Sequence, residues 1–103
     1  MGYEVRVTDN AYENIRACVD YVKIVLCQEK SALSIVESLK NFKENVSCFP
    51  EMYPKIADER LANSNYRRAL IKNYVVVYEF DGEVVTIHGF YHQLQDYARF
   101  VSL

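Results

Sequence analysis

The stretch 66–101, YRRALIKNYVVVYEFDGEVVTIHGFYHQLQDYARFV, decides the fold. Tyr66 to Ile71 is one strand-like run, turned at Lys72-Asn73. Tyr74 to Phe80 is a second, almost wholly apolar and aromatic, as suits a central strand buried on both faces. Asp81-Gly82 reads as a two-residue hairpin of type I′, which needs positive φ at both positions. Glu83 to Tyr91 is the third run, and Gln93 to Leu103 reads as a short closing helix or tail. Three strands joined by tight turns make an antiparallel meander.

Upstream, residues 47–64 have no sustained period, and Pro50 and Pro54 stop any helix. This is a connecting loop with one helical turn expected around Ala57 to Leu61. The first half is helical. Thr8-Asp9-Asn10 offers N-cap candidates, with Glu13 placed three residues after Asn10 as a capping-box partner. Ile15, Cys18, Val19, Val22, Val25 and Leu26 then recur at helical spacing to about Gln28. After a polar break, Ser31 is the next N-cap, and Ile35, Leu39, Phe42 and Val46 form a second stripe. So short a break predicts an αα-hairpin whose stripes are core. Tyr3 to Thr8 alternates apolar and polar residues as a half-buried strand does. The order strand, helical hairpin, three strands and closing helix describes one α+β domain over residues 1–103, with the helices on one face of the sheet.

A chain of 103 residues, half of them hydrophobic and a quarter charged, can bury a modest core, and disorder is excluded. No apolar run approaches the ~20 residues of a membrane span. The opening MGYEVRVTDN has neither the apolar core nor the cleavage site of a secretory signal, and nothing beyond its MG suggests a lipid anchor. Cys18, Cys27 and Cys48 lack CxxC or histidine partners at metal spacing. Those in the helical region read as small buried hydrophobes, which favours a reducing, cytoplasmic setting and no metal. A net charge of −2 disfavours general nucleic-acid coating. Arg60, Arg67, Arg68 and Lys72 nonetheless occupy an acid-free interval that could meet phosphate or an acidic partner.

His92 stands where a strand end presents side chains outward, flanked by Tyr91 and Gln93, and can act as acid or base near neutral pH. His88 shares its face if the strand is regular, but four residues separate the two by roughly 13 Å, too far to share a metal ion. Arg67 and Arg68 are adjacent on a strand and face opposite ways, so only one can join a given site. A guanidinium there suits phosphate or a partner's carboxylate equally. Asp96, Tyr97 and Arg99 can complete a polar cluster with His92, although Asp96 and Arg99 at i, i+3 can instead pair with each other. There is no Gly-x-Ser-x-Gly elbow, and no cysteine has a histidine beside it in sequence, which disfavours nucleophilic catalysis.

YEVRVTDNAYENI and NYRRALIKNYVVVYEFDGEVVTIHGFYHQLQDY resemble the RelE/ParE superfamily of bacterial type II toxins. The resemblance covers essentially the whole chain. It implies a growth-inhibiting toxin of a plasmid-stabilisation module, neutralised by a cognate antitoxin and needing no cofactor. RelE-like members are ribosome-dependent mRNA endonucleases (mRNA interferases), which implies His92, Arg67 and Arg68 as catalytic residues. Lys72, Tyr91, Asp96, Tyr97 and Arg99 would then touch RNA or partner. ParE-like members inhibit DNA gyrase without that set. Two positions depart from the nuclease pattern. Val75 falls where nuclease members place an arginine, and Gln93 where some carry a terminal tyrosine. The resemblance thus implies a ribosome-bound nuclease, a gyrase inhibitor, or a degenerate toxin that binds only antitoxin. The assembly expected is a homodimer or a toxin–antitoxin hetero-oligomer.

Overall fold

The computed structural model describes residues 2–57 and 65–95. In order come β1 (Glu4–Val7), α1 (Asp9–Asp20), a π-helical turn (Tyr21–Val25), α2 (Glu29–Cys48), β2 (Tyr66–Ile71), β3 (Tyr74–Phe80) and β4 (Val84–His92). The meander is as expected, with β3 between β2 and β4. β1 then adds parallel to β4, giving the order β1-β4-β3-β2. Of the closing helix or tail expected over Gln93 to Leu103 only 93–95 are described, and they form a turn; the helical turn expected around Ala57 to Leu61 lies, beyond Ala57, outside the described residues.

α2 buries Ala32, Ile35, Leu39, Phe42 and Val46 against Ala69, Ile71, Val76, Tyr78, Val85, Ile87 and Phe90 of the sheet. Each of the larger aliphatic and Phe side chains contributes about 1.5–3 kcal/mol by leaving water. Phe42 meets Tyr78 edge-on at 5.5 Å. The buried Tyr78 hydroxyl donates to the Pro50 carbonyl at 2.8 Å, so its phenol is satisfied. Val75, Val77 and Tyr91 form a second cluster with Ile56 on the other face, which makes β3 the doubly buried strand its composition predicts.

Several boundaries move. Thr8, not Asn10, caps α1, its Oγ1 accepting from Ala11 N–H at 3.1 Å. Glu13 is therefore not a capping-box partner. Asn10 instead donates from Nδ2 to the His88 carbonyl. α2 begins at Glu29 after Gln28, two residues before the Ser31 cap that was expected. The helical stripe also breaks at Tyr21. There Leu26 N–H reaches back five residues to the Tyr21 carbonyl, and this wider turn shifts the phase of the residues beyond it. Val22 stays buried, but Val25 and Leu26, expected in the core, are 63% and 43% exposed.

The β3–β4 turn is shifted by one residue from the expected Asp81-Gly82 pair. Asp81 N–H bonds Val84 O, so Gly82-Glu83 are the central pair, with positive φ (101°) at Gly82 alone, the II′ arrangement. The Asp81 carboxylate accepts from Glu83 and Val84 N–H at 2.8 Å each, and these bonds hold it below the usual carboxylate range. The 50–56 segment is more than a connector. Ile56 N–H bonds Tyr66 O and Arg68 N–H bonds Pro54 O, so it lies along the edge of β2.

Candidate functional site

β4 carries a bulge that decides where its histidines go. Val77 pairs with Gly89 but Tyr78 pairs with Ile87, leaving His88 as the extra residue. The alternation inverts across it: Ile87 and Phe90 both pack in the helix-side core, and Tyr91 in the opposite cluster. The bulge carbonyl, His88 O, is met by α1, accepting from Thr8 Oγ1 at 3.4 Å and Asn10 Nδ2 at 3.3 Å. His88 and His92 therefore do not share a face, as a regular strand would have required.

His92 is the last residue of β4, on the helix side, and meets Tyr74 edge-on at 5.6 Å. Its Nδ1 accepts from Leu94 N–H at 3.2 Å, which places the proton of the neutral ring on Nε2. It borders a cavity of about 470 Å³ shared with Asn14, Cys18, Tyr21, Tyr74 and Gln95. Tyr74 stacks on Phe90 at 5.0 Å. The hydrogen bond from its hydroxyl to Cys18, with burial adding to it, pushes the Tyr74 phenol up to about 12. Burial also raises the Cys18 thiol, so this cysteine stays protonated and is no thiolate nucleophile.

Arg67 lies elsewhere on the same side. It pairs across the sheet with Tyr78, four residues along β3 from the Tyr74 that faces His92, or roughly 13 Å before the strand spacings are added. Its guanidinium donates to Tyr53 O at 2.7 Å and Glu51 O at 3.4 Å, and pairs with Glu51 Oε2 at 3.4 Å; the side chain is 14% exposed. It clamps the 51–53 segment. Arg68 is exposed on the opposite face. The structure thus brings neither arginine to His92. Lys72 sits at the β2–β3 turn with φ 56°, beside a second cavity near Lys30 and Ser31. Tyr91 is buried, its hydroxyl accepting from Asn10 Nδ2 at 3.4 Å. Asp96, Tyr97 and Arg99 lie outside the described residues.

Two further features were not anticipated. On the face away from the helices, His88 Nε2 meets Glu79 Oε1 at 3.2 Å, with Tyr66 edge-on to the imidazole at 5.0 Å. The one sequence signal for this cluster is Gly89, since a glycine inside a strand marks a bulge. Between α1 and α2 runs an apolar groove of about 410 Å³, lined by Tyr12, Ile15, Val36 and Leu39, with Lys40, Lys43 and Glu44 on its rim. Tyr12 is 59% and Val36 47% exposed there. Among the described residues, no group of three or more His, Cys, Asp or Glu could hold a metal ion, and no helix is long and apolar enough to cross a membrane.

Residues 5–97 match the sequence model of the family described as the ParE toxin of type II toxin–antitoxin system ParDE. The chain belongs to the ParE toxin family. The fold agrees: a solved chain from the chromosomal ParDE toxin–antitoxin system of P. aeruginosa superposes with a TM-score of 0.69 at 14% identity, covering 87% of this chain and 95% of that one. Comparison with curated protein sequences found no match. This ParE-family chain is a type II toxin component.

Proposed function

We propose that the toxin is neutralised by an antitoxin helix laid in the groove between α1 and α2, and that it acts on its target through its surface, as a non-enzymatic inhibitor of DNA gyrase. The observation that carries the second half is the separation of His92 from both arginines. A phosphoryl-transfer site needs its base and its anion-stabilising cation about 3 Å from one reacting group. Here Arg67 is engaged by Glu51 and Tyr53, and Arg68 faces the other way. The groove supports the first half: it is apolar, runs between the two helices, and carries Lys40, Lys43 and Glu44 at its edge, so it suits an amphipathic helix with charged flanks.

Both halves are testable in one expression system. Induced without antitoxin, the chain arrests growth with plasmid DNA relaxed and messenger RNA intact. Cleaved messenger RNA with normally supercoiled plasmid would overturn the gyrase reading and restore the nuclease. Val36→Lys places a charge in the groove and weakens antitoxin binding by about 30-fold or more. Unchanged binding by the folded variant would put the antitoxin elsewhere.

A further inference from the structure

The tip of the helical hairpin presents four large apolar side chains to water. Tyr21 is 54%, Ile24 68%, Val25 63% and Leu26 43% exposed. They are consecutive or one turn apart, and the Leu26 N–H to Tyr21 O bond ties the ends of the group together. Two of them occupy positions at which a regular α-helix would continue the buried stripe through Ile15, Cys18 and Val22. The π-helical turn rotates them out. Such single wide turns are rare and frequent at functional sites.

We propose that this tip is a contact between two copies of the chain, related by a two-fold axis passing close to Ile24 and Val25. The exposed area suits such a contact. Four such side chains at about half exposure offer roughly 400 Å² of apolar surface, at about 100 Å² each. One side of a standard interface buries about 800 Å², of which some 60% is apolar, so the patch supplies most of the apolar core one copy must bring. The charges around the patch suit it as well. Lys23 lies within the patch and Glu29 and Lys30 just beyond it, all exposed and with no ion pair among the described residues. An isologous contact sets each rim against its own image. A rim of mixed sign can pair Lys23 or Lys30 of one copy with Glu29 of the other, where a rim of one sign would repel a copy. The groove proposed for the antitoxin is a separate surface, lined by Tyr12, Ile15, Val36 and Leu39. The two contacts are therefore compatible, and the dimer does not depend on that reading.

The test is the mass of the full chain in solution, by light scattering and sedimentation from about 1 to 100 µM. The expected result is a species of twice 12.0 kDa. Ile24→Lys weakens the association by about 30-fold or more. Val36→Lys, in the groove, leaves it unchanged. Circular dichroism and the thermal midpoint of Ile24→Lys stay at wild-type values, since the side chain is exposed in the monomer. A wild-type chain that is monomeric at 100 µM overturns the proposal. So does a dimer that survives Ile24→Lys or is split by Val36→Lys.

Discussion

Arg67 is held by three acceptors of the 51–53 segment, so its removal acts on stability before it acts on function. Arg67→Ala leaves the Tyr53 and Glu51 carbonyls without their donor. It should lower stability by about 1–3 kcal/mol, read as a shift of the urea midpoint, while growth arrest persists below the lowered melting temperature. Arg67→Lys should recover only part of the loss, because a single ammonium cannot span the same acceptors. Tyr74 gives a prediction in pH. Its folded-state value of about 12 lies above the reference value of 10.0, so the folded chain binds the proton more tightly. The stability this confers is complete below pH 10 and is lost as pH rises towards 12. Denaturation followed between those limits should show a steeper loss in wild type than in Tyr74→Phe. An equal slope in the two would mean that the Cys18 bond does not hold the phenol. Neither contact was legible beforehand. Arg67 and Glu51, or Cys18 and Tyr74, meet only after the sheet has formed, and no local spacing announces them.

At the scale of elements, periodicity was a good guide to kind and a poor one to phase. The apolar run of β3 and the α2 stripe appear where predicted, because burial on both faces or on one is written in residue type. What failed were two insertions of backbone geometry, the π-helical turn at Tyr21 and the bulge at His88. Each adds one residue without changing composition, so the residues that follow it within the same element change face. Gly89 is the residue that accommodates the second. A Cβ built there would lie 2.3 Å from the Tyr91 ring. Gly89→Ala should therefore cost about 1–3 kcal/mol by forcing Tyr91 off the second cluster, and thermal unfolding would report it. Cys27 and Lys72 hold left-handed backbone at φ 53° and 56° in the hairpin break and the β2–β3 turn. Glycine at either site should raise stability by about 0.5–1 kcal/mol, checked by the same denaturation curves. A loss of that size would mean that the side chain contributes more than the backbone strain costs.

At the scale of the molecule, the helical hairpin covers one face of the sheet and leaves three distinct surfaces among the described residues. The α1–α2 groove and the hairpin tip are each apolar with a rim of mixed charge, and the Glu79–His88–Tyr66 cluster is polar on the far face. The proposed docking of antitoxin and of target would each draw on one of these surfaces. A nuclease needs one concave site, and His92 and the arginines do not form one. Some residue types of a cleaving relative were readable in the chain, but their placement was not: the bulge sets the face His92 takes, away from Arg68, and four residues of β3 separate it from Arg67. The most direct measurement is growth arrest by His92→Ala, expressed without antitoxin and confirmed as folded. The account predicts arrest as strong as wild type. Arrest abolished in the folded variant would contradict it and return His92 to the role of catalytic acid or base.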